Sequence, residues 1–269
     1  VCATIDSPVL VEGAILSIHQ AARIADVAVK IIVIDQSEHA DCRSLIGQFP
    51  GLELVVIHSK VRGLSICRNI GLEHATGDFA MFWDADCTMD FTFFVKLNHL
   101  AFEHLDTNLF YGSIKCPLRK HSVFRNWPTK KRAISNFYRW QVSTSVNCVW
   151  RNDGPNSRIR LDERFGIGGK YGSCEDVDFF LQLKGDAMYS PGLVVYHPDQ
   201  NVNDVPIEKS SSYSFGFGAL CRKHLGNYGA FYLTLTVIKK IYQMARGQVK
   251  LTNGVILVKE RLRGFAVFS

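Results

Sequence analysis

Apolar positions along the first part of the chain follow two alternating rhythms. Val1 to Ile5 is a short β-branched run, Leu10 to Ala22 carries apolar residues at helical spacing, and Lys30 to Ile34 is a second apolar run ending at Asp35-Gln36-Ser37. Strand, helix, strand is the opening of a parallel sheet. Leu52 to His58 predicts a third strand. Leu64, Cys67, Ile70 and Ala75 then fall near helical spacing, Gly77 supplies a residue able to close a helix with φ > 0, and Phe79 to Trp83 has the length of a buried strand. That strand ends on two carboxylates, Asp84 and Asp86. Ligands of open α/β sheets sit beyond the carboxyl ends of the strands, so the pair stands where functional groups belong.

The second half repeats these signals. Asp90 to Leu105 predicts a helix with Phe91, Phe94, Val95 and Leu97 to Leu100 inward, and strands are predicted at Phe110 to Lys115, Asn147 to Arg151 and Ala187 to His197. Cys116 to Asn136 is basic, contains Pro and has no period, as expected of a mobile loop over a site or of a solvated loop. Glu175, Asp176 and Asp178 open a helix packed through Val177, Phe180, Leu181 and Leu183, where acids suit the helix dipole. Near the end, Tyr228, Phe231, Tyr232, Leu235, Ile238, Tyr242 and Ala245 lie on one helical stripe, and Val255 to Phe268 is a second basic-apolar run.

Composition narrows the class. At 269 residues and 47% hydrophobic content the chain can bury a full core, and no apolar run reaches the roughly 18 residues of a spanning helix. No signal peptide is visible, and the start at Val1 reads as processed or trimmed. The eight cysteines are dispersed without a Cys-x-x-Cys pair, as expected of reduced cytoplasmic thiols and not of a zinc site. The net charge of +6 is uneven: residues 220–269 hold nine Lys/Arg against Glu260, a net of +8. A basic tail of this kind suits an anionic partner.

Cys67-Arg68-Asn69-Ile70-Gly71, a strand, then Asp84-Ala85-Asp86 resembles the central motif of family 2 glycosyltransferases of the GT-A fold, with Cys67 at the usual Ala. Arg160 to Gly166 resembles the family's Phe-Asp-Glu-x-Phe turn, and Glu175 to Asp178 after a Gly-rich loop resembles its catalytic-base motif. His197 stands where the family commonly places a metal ligand. The resemblance covers about residues 28 to 200, and the turn after the first strand departs from the family pattern.

The resemblance implies an α/β GT-A domain over 1–205, a mostly parallel sheet with helices on both faces, and a basic helical extension over 206–269. It implies inverting, metal-dependent transfer of a hexosyl group from a nucleoside-diphosphate sugar, UDP-linked by family frequency, to a hydroxyl of a glycan or lipid-linked glycan of the bacterial cell surface. Asp35 would bond the base, with Arg68 and Asp84 also on the donor; Asp86 and His197 would hold Mg²⁺ or Mn²⁺; Asp176 would be the base, with Glu175 as the alternative. Read without the family, Asp35 is a helix N-cap or turn residue. The expected place is the cytoplasm, with the basic helices on an anionic membrane face, and no nucleic-acid partner is expected. A sugar nucleotidyltransferase would need a Gly-rich phosphate loop, and none follows Ile5. The remaining alternative is a non-catalytic carbohydrate or nucleotide-sugar binding domain.

Overall fold

The β-branched opening run forms β1 (Cys2–Thr4), and Pro8 then starts α1 (Pro8–Ala25) in the first turn, where its missing N–H costs nothing. A computed structural model describes residues 1–5, 7–38, 41–198 and 205–269. Val11, Ala14, Ile15, Ile18, Ala21 and Ala22 give α1 one buried face. The chain returns through β2 (Lys30–Asp35) and β3 (Glu53–His58), parallel and in register so that Thr4, Asp35 and His58 share one edge of the sheet. Next comes α2 (Leu64–Glu73). It ends earlier than Gly77, the expected closing residue: His74 and Ala75 donate to the carbonyls of Gly71 and Leu72 and turn the chain there.

After β4 (Phe79–Met81) the chain runs on beside β1: Trp83 N–H donates to the Val1 carbonyl at 2.8 Å, and Trp83 bridges Cys2 in parallel. A two-residue strand, β5 (Thr88–Met89), precedes α3 (Phe93–Glu103). The inward face of α3 is Phe93, Leu97, Leu100 and Ala101, whereas Phe91 and Val95, expected inside, are exposed. The helix begins at Phe93, three residues after the predicted start, and its phase turns accordingly.

The second sheet then assembles from β6 (Thr107–Lys115), β7 (Arg132–Ala133), β8 (Cys148–Arg151) and β9 (Asp186–Tyr196), with α4 (Asn136–Val142) before β8 and α5 (Glu175–Gln182) before β9. Its order is β4-β8-β6-β9-β5, with β7 on β9. Parallel pairing is carried by β1 to β3 and by β6 beside β9; the other pairs are antiparallel. Residues 116–136 are tied down by buried Val123, Trp127 and Ile134 and by the β7–β9 pairing. A cluster of Phe82, Trp150, Phe179 and Phe180 fills the middle, with Phe82 centroids 5.0 Å from both Trp150 and Phe179.

The chain divides into two compact units, and the division runs through α2 and α5. The elements above, apart from the first residues of those two helices, make up one unit. The other combines Gly63–Ser65 and Leu161–Asp178 with the C-terminal region, which forms α6 (Ile207–Lys223), α7 (Ala230–Ala245) and α8 (Leu251–Val267). Within it, α6 and α8 touch backbone to backbone. A Cβ on Gly218 would lie 1.9 Å from the Arg261 carbonyl, and one on Gly264 1.9 Å from that of Phe215. The predicted stripe on α7 splits: Tyr232 is buried, while Phe231, Leu235, Ile238 and Tyr242 are 44–59% exposed.

Truncating Phe82 removes the centre of the aromatic cluster. Phe82→Ala is expected to lower unfolding free energy by about 3–5 kcal/mol, read from urea denaturation.

Candidate active site

The carboxyl edge of the sheet collects most of the residues singled out by sequence. Beyond β4, Asp84, Ala85, Asp86 and Cys87 turn sharply, with the Cys87 N–H on the Asp84 carbonyl at 3.0 Å and Trp83 Nε1 donating to the Cys87 carbonyl at 3.1 Å. The turn aims two carboxylates at different partners. Arg68 Nη2 donates to Asp84 Oδ1 at 2.9 Å, and Ser145 Oγ donates to Oδ2 at 2.9 Å. The Arg68 guanidinium is 1% exposed and lies over the Phe82 ring, 5.0 Å from its centroid. Arg68 therefore orients Asp84 from beneath.

Asp86 faces His197, with 3.6 Å between Oδ2 and Nε2. Two-residue β5 is what brings them together, since Thr88 pairs Tyr196 at the end of β9. The His197 N–H bonds the Lys115 carbonyl, and Nδ1 lies 2.7 Å from the Pro198 carbonyl. Nδ1 thereby donates to that carbonyl, and Nε2 is the nitrogen that faces Asp86. Phe124 packs on the imidazole at 4.7 Å between centroids. Cys87 Sγ is 3.6 Å from Asp86 Oδ1, so Asp86, Cys87 and His197 offer ligand atoms within 4.8 Å of one another. Burial, followed by the Asp84 and Asp86 carboxylates, pushes the Cys87 thiol strongly up, so Asp86 and His197 are the better donors for a hard divalent ion. The Asp86 carboxylate suits Mn²⁺ or Mg²⁺, and the His197 imidazole adds one nitrogen donor beside it.

Asp35 ends β2 at the same edge but is 1% exposed. Its oxygens accept from the Ser37 hydroxyl and from the N–H groups of Ser37 (2.9 Å) and Cys42 (2.8 Å). Burial raises its carboxyl, and the hydrogen bonds from Cys42 and Ser37 outweigh that and lower it below the usual range. Its carboxylate shapes the loop that follows it.

Glu175 and Asp176 open α5 and belong to the other unit. Glu175 is 8% exposed, and a Cβ on Gly166, whose φ is +85°, would sit 3.2 Å from its carboxylate. Asp176 is more open and accepts from the Val177 N–H at 2.7 Å. Asp178 is fully buried. Sequence reasoning missed Ser145, Phe124 and Cys87; only Cys87, next to the acidic pair, carried a signal in the linear order.

The fold defines an α/β protein of the GT-A type. The family model for glycosyl transferase family 2 matches residues 11–172, more than half of the chain, and the chain belongs to that family. It is similar to the succinoglycan biosynthesis protein ExoM of Rhizobium meliloti (strain 1021), 28% identical over 185 residues, which cover 63% of this chain and 56% of that protein. The chain thus spans little more than half the length of this relative. Solved structures share the fold. S. aureus TarS 1-349 gives a TM-score of 0.64 at 13% identity, covering 99% of this chain and 71% of that one. The same protein with UDP gives 0.60 at 15% identity, covering 98% and 82%. The mannosyltransferase PcManGT from Pyrobaculum calidifontis, in complex with GDP-Man and Mn2+, gives 0.60 at 13% identity, covering 99% and 84%.

The unequal settings of the two acids predict unequal costs. Asp84→Ala strips the buried Arg68 guanidinium of its carboxylate and should destabilise by about 3 kcal/mol. Asp86→Ala, whose carboxylate is as exposed as that of Asp84 but lies 3.6 Å from the His197 imidazole with no buried guanidinium depending on it, should stay within about 1 kcal/mol of the parent in the same urea titration.

Proposed function

We propose that this protein transfers a sugar, with inversion, from a nucleoside-diphosphate sugar to a hydroxyl of a glycan or lipid-linked glycan. The observation that carries the reading is the Asp86–His197 pair at the carboxyl edge of the sheet, with Nδ1 of the imidazole held by the Pro198 carbonyl. Held by Asp86 and His197, a divalent ion would neutralise charge on the departing nucleoside diphosphate. Asp84, steadied by Arg68 and Ser145, presents a carboxylate for the donor ribose. Asp176 accepts the acceptor hydroxyl's proton as that oxygen attacks the anomeric carbon from the face opposite the leaving group. Its openness supports it over Glu175, which is packed against Gly166. A UDP-linked donor is in keeping with the UDP complex of TarS, and GDP-linked donors form the second arm of the test. A polysaccharide acceptor is supported by the relative's part in succinoglycan biosynthesis.

The same reading places the helices α7 and α8 on an anionic lipid surface at the inner face of the cell membrane. No helix among the described residues is long and apolar enough to cross a membrane. Instead Phe231, Leu235, Ile238 and Tyr242 are exposed on α7 and Leu251, Val255 and Leu262 on α8, interspersed with exposed Lys239, Arg246, Lys250, Lys259 and Arg263. Apolar residues lie at the headgroup boundary and cations meet the lipid charge in such a helix.

With Mn²⁺ and a panel of UDP- and GDP-sugars, the full chain should slowly release the nucleoside diphosphate from one donor to water. Asp176→Asn should lower that rate by about 10²–10⁴ while donor binding, read by calorimetry, persists; Asp86→Ala should abolish the metal dependence of binding. Cleavage of no donor by the parent would overturn the reading. For the membrane, the protein should sediment with phosphatidylglycerol vesicles at low salt and less at high salt, and Leu235→Glu/Ile238→Glu should stay in the supernatant. Sedimentation of both alike, or concentration-dependent dimers lost in the double variant, would count against a lipid surface.

A further inference from the structure

One cation joins the two ends of the segment that carries Asp176. Lys223 Nζ, at the end of α6, lies 2.8 Å from Asp162 Oδ2 and 2.8 Å from Asp178 Oδ2. The next residue completes the junction, with His224 Nε2 2.8 Å from Asp178 Oδ1. Asp178 has no exposed surface, so both its oxygens are satisfied by α6 and the residue after it. Asp162 is also gripped by Arg164, 2.9 Å at Nε and 2.8 Å at Nη2. Burial raises the Asp162 carboxyl, but Arg164 and Lys223 overcome this and hold it well below the usual range.

The segment between these anchors needs holding. Cys174, immediately before Glu175, has φ +67°, a left-handed backbone that a residue with a Cβ adopts at a cost of order 1–3 kcal/mol. The loop also lies directly on the α6 backbone: a Cβ on Gly216 would sit 2.6 Å from the Tyr171 carbonyl and 2.2 Å from Ser173 Oγ. An ordinary solvated helix start has no use for a fully buried third acid, because the dipole is served as well by exposed ones. Burying Asp178 costs free energy unless its partners are in place.

We infer that Lys223 and His224 are positioning residues for the transfer reaction: through Asp178 and Asp162 they fix the first turn of α5 and with it the Asp176 carboxylate. The inference rests on Asp176 being the proton acceptor. It makes α6 part of the apparatus that positions the proton acceptor. A base displaced by about 1 Å loses about 10²-fold in rate without altering donor affinity.

The test is a double-mutant cycle in the full chain, with cleavage to water of the UDP- or GDP-sugar selected above as the probe. Lys223→Met and Asp178→Asn should each lower kcat about 10²-fold per folded molecule, with KM and the calorimetric donor Kd unchanged, and His224→Gln, which keeps a donor for Asp178, should retain most of the rate. In an Asp176→Asn background Lys223→Met should cost nothing further. Equal losses in both backgrounds, or a loss that disappears on correcting for folded fraction, would overturn the inference. If Asp176→Asn itself turns over like the parent, the base assignment falls first, and the positioning role falls with it. Should Lys223→Met fail to fold, the isosteric Asp178→Asn carries the same comparison.

Discussion

The Arg68–Asp84 pair is the constraint on which the sheet edge depends. A guanidinium with almost no access to water must keep its partners, and Asp84 is the partner that links the packed interior to the open edge. The cation rests on Phe82, itself locked between Trp150 and Phe179. The aromatic core, the buried charge and the first acid of the pair are consequently one mechanical unit, and the second acid inherits its place from the tight turn that follows. A carboxylate anchored in this way pays little reorganisation when charge develops nearby.

A second arrangement has the same logic in the other compact unit, where buried Asp178 is to Lys223 and His224 what Arg68 is to Asp84. In both places a buried group is held by a carboxylate pairing, Arg68 through Asp84 in one and Asp178 through Lys223 and His224 in the other.

Much of the architecture was legible because it rests on periodicity. The strand–helix–strand opening, the strand before Asp84, the helix opened by Glu175 and the strand running to Tyr196 appear within a few residues of their predicted bounds. What escaped was either too short to have a period or depended on contacts remote in sequence. Two-residue β5 has no pattern of its own, yet it places His197. The phase of α3 was misread because the apolar run from Phe91 offers several equivalent stripes, and only the true start at Phe93 selects one. For Asp35 and Arg68 a motif gives residue types and order, while their burial and hydrogen-bond partners come from the tertiary structure. The α7 stripe is the opposite case: its amphipathicity was plain, but whether it faced protein or solvent was decided by burial, and Tyr232 alone of its larger residues turned inward.

The position of His197 is set almost wholly by main-chain register, through Thr88 opposite Tyr196 and the Lys115 carbonyl opposite His197 itself. Side chains on those strands can therefore drift among β-compatible types while the imidazole stays where it is. A single-residue insertion or deletion between Val194 and His197 is another matter, since each step along a strand reverses the face a side chain occupies. Across divergent members with this arrangement, this stretch should vary freely in composition and hardly at all in length.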